Sequence, residues 1–171
     1  MTIERIESLV YGVEDVAAGI RFFEDWGLEK LEGGATGADF RTQENQTIHI
    51  RSSDDAGLPP SPEAGSTLRQ TVWGVDSSAA LAAIGAELAR DRQVKTDAND
   101  MLVASDETGF SIAFRKSDRI SAGIEPPQFN VADSAPRLNR PVDPDQRAQP
   151  IRIGHVVFFI PKAGAAEASD F

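Results

Sequence analysis

Cysteine is absent from this 171-residue chain. That excludes disulfides, thiolate catalysis and cysteine-ligated zinc or iron–sulfur sites. Histidine occurs only twice, at His49 and His155, so any imidazole chemistry must use those two positions. Long apolar runs are missing as well. No stretch approaches the roughly 20 apolar residues needed to cross a bilayer, and the opening MTIERIESLVYG lacks the apolar centre of a secretory signal. Positive charge is scarce: 17 Lys and Arg face 27 Asp and Glu, for a net charge of −10 and a pI near 4.6. Nucleic acid and anionic membranes require a basic face, so neither is expected as a partner. These absences lead to the expectation of a soluble, cytoplasmic protein. A hydrophobic fraction of 40% is enough for a core, and the length admits one ordinary domain or a small domain with an extension.

The apolar residues are patterned. RIESLVYGV (5–13) is rich in β-branched and aromatic residues and predicts a strand. In the following segment Asp15 is placed to cap a helix whose Val16, Ile20 and Phe23 share one face, with Gly27 positioned to end it. LEKLEGG, GADFRT and QTIHIRS predict three short strands separated by the glycines 33, 34 and 37 and by the turn at Glu44-Asn45. EGGATGAD (32–39) looks like a phosphate loop only superficially, because no helix N-terminus follows it, and it is expected to be a hairpin turn.

The pattern then returns. TLRQTVWGV (67–75) predicts a strand and DSSAALAAIGAELARD (76–91) a capped helix with Leu81, Ile84 and Leu88 on one face. QVKT, MLVAS and FSIAFRK predict three strands. Gly12-Val13 and Gly74-Val75 stand 62 residues apart, each behind an aromatic residue and ahead of an acidic cap. The chain therefore carries an internal repeat of a βαβββ unit, with Tyr11 and Trp73 at matching positions that are expected in the core. Residues 117–150 differ, with six prolines and little periodicity, and predict a linker or a clamp lying across a surface. Beyond them IGHVVFFIPKAGAAEASDF resembles the opening of a third unit, with a paired strand expected over about 152–160.

The paired βαβββ units, the proline-rich linker and the third opening together resemble the vicinal oxygen chelate superfamily: glyoxalase I, bleomycin-resistance proteins and type I extradiol dioxygenases. The arrangement is most similar to the N-terminal half of a bidomain extradiol dioxygenase. The resemblance implies an α+β fold with two modules forming a curved mixed sheet. It also implies a paired domain over 1–118, a linker over 119–149, and the opening strand and helix start of an incomplete second domain over 150–171. In that subfamily the first domain is metal-free and the second holds Fe(II), with Mn(II) as an alternative. The substrate is a small catecholic aromatic, and a homo-oligomer is expected.

The family's metal-ligand positions fall here on Ser8, His49, Gln70 and Ala113. Three of the four break the pattern. One imidazole does not hold a divalent ion specifically, so these four are expected to line the cup of the sheet and His49 to be a packed polar residue. His155 in IGHVVFFIP stands where the catalytic domain of an extradiol dioxygenase places its first iron-ligand histidine. It is the expected metal ligand, with its co-ligands beyond this chain. A Ser-His-Asp or paired-carboxylate set cannot be assigned, because neither histidine has a definable partner in the sequence. Two other function classes stay open: a metal-free protein binding a small hydrophobic molecule in the cup, resembling the bleomycin-resistance family, and a purely structural or dimerisation module.

Overall fold

The computed structural model describes residues 2–61, 63–124, 144–145 and 147–158. Module one comprises β1 (Ile3–Val13), α1 (Val16–Asp25), β2 (Glu29–Gly34), β3 (Gly37–Arg41) and β4 (Thr47–Ser52). Module two repeats it as β5 (Thr67–Val75), α2 (Ser78–Leu88), β6 (Lys95–Thr96), β7 (Leu102–Ser105) and β8 (Ser111–Lys116). All eight strands join one mixed, curved sheet in the order β2-β3-β4-β1-β5-β8-β7-β6. Each module places its first strand beside its last in parallel, and the two first strands pair antiparallel at the centre. The α+β fold and the repeat are as the sequence predicts.

The helices start where side-chain oxygens satisfy free amides. Asp15 Oδ1 accepts from Ala18 N at 2.8 Å, and Ser77 Oγ accepts from Ala80 N at 3.2 Å. Gly27 follows the end of α1 with φ +90°, a left-handed residue that only glycine adopts freely. EGGATGAD forms the β2–β3 hairpin. Both helices lie on the same side of the sheet. Ile20 and Phe23 pack on Phe40, Ile48 and Ile50 under α1, while Ala80 and Ile84 pack with Val75 and Phe114 under α2. Tyr11 and Trp73 are half-buried at the margins of these clusters and meet at a third one, around Ile6, Leu9 and Leu68. Among the described residues, no helix is long and apolar enough to cross a membrane.

The strand expected over about 152–160 is not formed across residues 152–158, while 159 and 160 lie outside the described residues. A strand needs a neighbouring strand to pair with, and this segment meets a turn instead. The β3–β4 turn holds it in an extended path: Gln43 N donates to Pro150 O at 3.2 Å, and Glu44 N donates to Ile151 O at 2.9 Å. Gln46 completes the attachment. Its side chain, 1% exposed, accepts from Ile153 N at 2.6 Å and donates to Ile153 O at 3.1 Å and Ile6 O at 2.6 Å. Upstream, Arg147 donates to Glu24 O, and a Cβ on Gly27 would run into the carbonyl of Ala148. Ile153, Val156 and Phe158 then pack on the Ile6–Leu9–Leu68 cluster, with the Phe158 ring 5.1 Å from that of Phe110. Ile153, Val156 and Phe158 are thus partly covered by the helix-bearing side of the first domain, whereas Val157 is 73% exposed.

At the end of β8 a second attachment is ionic. Glu7, 3% exposed, receives Arg5 Nε at 2.7 Å, Arg5 Nη2 at 2.9 Å and Asp118 N at 3.0 Å. Burial opposes its ionisation, but these donors and Arg115 outweigh burial, so its carboxyl lies below the ordinary glutamate value. A depressed pKa in the folded state stabilises above the unfolded-state value of 4.5 and is lost as pH falls through the folded value. Glu7→Gln is therefore expected to cost about 1–3 kcal/mol at pH 7. In urea denaturation, the gap from the parent chain should shrink steadily below about pH 4.5. Gln46→Ala should cost a similar amount and raise the amide exchange rate of Ile153 well above that of its neighbours in β4.

Candidate functional site

Residues paired across a sheet project to the same face, and the face alternates along each strand. Leu9 and Tyr11 point toward the helices, so Ser8 and Val10 point into the opposite, concave face. The register carries that assignment across the sheet. Asp39 pairs with His49, His49 with Val10, Val10 with Gln70, and Gln70 with Ser111. The adjacent row runs through Thr47, Ser8, Val72 and Ala113. The four cup-lining residues expected from the sequence therefore do share one face. They do not converge on one point, because Val10 stands between His49 and Gln70, and Val72 between Ser8 and Ala113. Two strand spacings separate each pair, roughly 10 Å.

Their polar atoms are also committed elsewhere. Ser8 Oγ accepts from Thr47 Oγ1 at 3.0 Å, and Gln70 Nε2 donates to Ser111 Oγ at 2.9 Å. Ser8 is 6% exposed and Ala113 0%, and a methyl group cannot be a ligand. His49 Nδ1 lies 2.8 Å from Asp39 Oδ1, which also receives Arg51 Nη1 at 2.6 Å. Burial works against ionisation of Asp39, yet the hydrogen bonds and charges of Arg51 and His49 hold its carboxyl below the usual aspartate value. An ionised carboxylate only accepts, so His49 Nδ1 must carry the proton. In the neutral ring this leaves Nε2 as a lone acceptor.

One imidazole nitrogen, a capped hydroxyl, a tied amide and a methyl do not fit a divalent-metal site, which needs three or four protein ligands. Among the described residues, no group of three His, Asp or Glu is placed to hold a metal. His155 is exposed and lines a pocket with Leu9, Tyr11 and Phe23 on the helix-bearing side, away from the cup. Three residues of this chemistry were not singled out from the sequence: Asp39, which engages His49, Arg51, which donates to Asp39, and Gln46. The period-2 pattern of GADFR and TIHIRS places Asp39, His49 and Arg51 on alternate positions, but only the β3–β4 register brings them together.

Comparison with known proteins places this geometry. No family model and no curated protein matches the sequence, whereas many solved structures match the fold. The chain shares the fold of the vicinal oxygen chelate superfamily. It is similar to a Mn(II)-bound glyoxalase from Novosphingobium aromaticivorans (TM-score 0.53, 19% identity), covering 70% of this chain and 42% of that one. It is also similar to a catechol 2,3-dioxygenase (TM-score 0.54, 14% identity, 68% and 42% covered). A third likeness is to homoprotocatechuate 2,3-dioxygenase from Brevibacterium fuscum (TM-score 0.53, 14% identity, 70% and 34% covered). The chain thus spans about two fifths of the first two proteins and a third of the last. In this chain the concave face carries a polar row, and among the described residues that row holds no metal set.

If the cup is a scaffold surface, Ser8→Ala and Gln70→Ala should each change stability by no more than about 1–2 kcal/mol, through one lost hydrogen bond. Calorimetric titration of the purified chain with Mn(II) should show no stoichiometric site. The weak residual signal should be the same in His49→Ala.

Proposed function

We propose that this chain is the metal-free, paired-module portion of a longer non-haem Fe(II), extradiol-type ring-cleavage dioxygenase acting on a catecholic aromatic. One observation carries this reading. The fold matches about two fifths of the length of a catechol 2,3-dioxygenase, while the cup offers a single free imidazole nitrogen where a metal centre needs several ligands. On this reading the paired modules position and stabilise a second domain, and His155 meets iron only within that longer protein. The docked path of residues 147–153 along Gly27, Gln43, Glu44 and Gln46 supports a scaffolding role, since it fixes where the chain leaves module one.

A second reading, a metal-free small-molecule binder of the bleomycin-resistance type, is favoured by the concave polar row in which Asp39–His49 and Gln70–Ser111 flank Val10. Metal content separates the two. The 171-residue chain incubated with Fe(II) and a catechol panel under air should form no yellow ring-fission product. A longer gene product should bind iron and form it, and should keep both properties in Ser8→Ala and Gln70→Ala. An iron-free longer product, or turnover by this chain that vanishes in His155→Ala, would sink the proposal.

A further inference from the structure

The attachment of residues 150–157 to module one encloses a pocket of about 430 Å³ on the helix-bearing side of the sheet, opposite the cup. That volume falls within the range of about 300–1,000 Å³ usual for small-molecule sites. One wall is aromatic: the ring centroids of Tyr11 and Phe23 are 6.2 Å apart, and those of Phe23 and Trp26 are 6.0 Å apart. Leu9, Leu28 and Ile48 floor it, and the tail closes it.

The polar content of this pocket is one-sided. Among the described residues, its lining includes Tyr11, Thr42, Arg152 and His155 but no Asp or Glu, in a chain with 27 acidic residues and a net charge of −10. Among the described residues, the Tyr11 hydroxyl makes no hydrogen bond. Burial pushes its pKa up, so the phenol keeps its proton and remains a donor. Arg152 has no ion-pair partner among the described residues. It stands on the rim shared with a neighbouring depression, and Glu44, which lines that depression, is already engaged by Arg119 at 2.8 Å. A flat aromatic wall with donors and a guanidinium, and no competing carboxylate, selects for a planar apolar body carrying an anionic group.

We propose that this pocket is a binding site for a small aromatic acid, its ring packed against Tyr11, Phe23 and Trp26 and its carboxylate paired with Arg152. The site is separate from the concave face and stands whether or not the chain belongs to a dioxygenase. Because residues 150–157 form one wall, the ligand would bridge the tail to module one and tighten its attachment.

The test uses the full chain carrying Trp73→Phe, which leaves Trp26, half-exposed beside the pocket, as the remaining tryptophan. Benzoate should change Trp26 fluorescence saturably and slow amide exchange at Ile153. Benzamide, its neutral counterpart, should bind about tenfold more weakly or worse, the loss expected when a charge-assisted contact is removed. Arg152→Ala, a change at an exposed residue, should erase the difference between the two probes, and His49→Ala in the cup should leave it intact. The proposal is overturned by the absence of a saturable benzoate response or by a benzoate preference that survives Arg152→Ala. Loss of that preference in His49→Ala would also overturn it, by moving the acid to the concave face.

Discussion

Two βαβββ modules, each too small to close a core well by itself, share one sheet because β1 and β5 pair antiparallel along its middle. That seam fixes the rest. It turns the first strand of each module inward, sets both helices on one side, and leaves the other side as a single concave surface built from both modules. It also crowds β1 and β5, and register shifts between Ile3 and Arg5, Ile6 and Ser8, and Val10 and Tyr11 absorb the curvature. Glu7 sits within this seam, and through Arg5, Ser117 and Asp118 it ties the start of β1 to the exit from β8.

The two faces carry different chemistry for one reason, the alternation of side chains along β1. Ser8 and Val10 face the cup, and Leu9 and Tyr11 face the helices. On the cup side most polar atoms pair with one another, His49 Nδ1 with Asp39 and Gln70 with Ser111, leaving His49 Nε2 unengaged, and no metal-ligand set is placed there among the described residues. On the helix side a gap between α1 and α2 exposes Leu9 and Tyr11, and the returning tail covers it. Within that tail Ile153, Val156 and Phe158 turn onto the sheet while Val157 stays in solvent. With an unpaired backbone the tail attaches through a side-chain amide that offers both a donor and an acceptor, which is what Gln46 supplies.

Much of the local structure was legible because it depends on short-range rules. Asp15 as a cap, Gly27 as a left-handed terminus, Asn45 at φ 67° in the β3–β4 turn and the hairpin at EGGATGAD all follow from residues within a few positions of each other. The repeat was legible because Tyr11-Gly12-Val13 and Trp73-Gly74-Val75 perform the same job twice. The strand over 152–158 was misjudged because composition reports what a segment could pair with, not whether a strand edge lies within reach. Asp39 and Arg51 escaped notice because the meeting of Asp39 with His49 and Arg51 depends on register.

By itself the sequence determined the repeat and the fold class. Each of these rests on residue identity, periodicity or internal similarity, which the linear chain carries. Only the tertiary structure decided that Val10 and Val72 separate Ser8, His49, Gln70 and Ala113, and that Asp39 orients the His49 ring. Only it showed that residues 150–157 lie against module one, where Gln46 holds them and Arg152 meets an aromatic wall. The Gln46–Ile153 contact alone joins residues 107 positions apart, and a one-dimensional pattern cannot encode which distant surfaces close on each other once the backbone has turned.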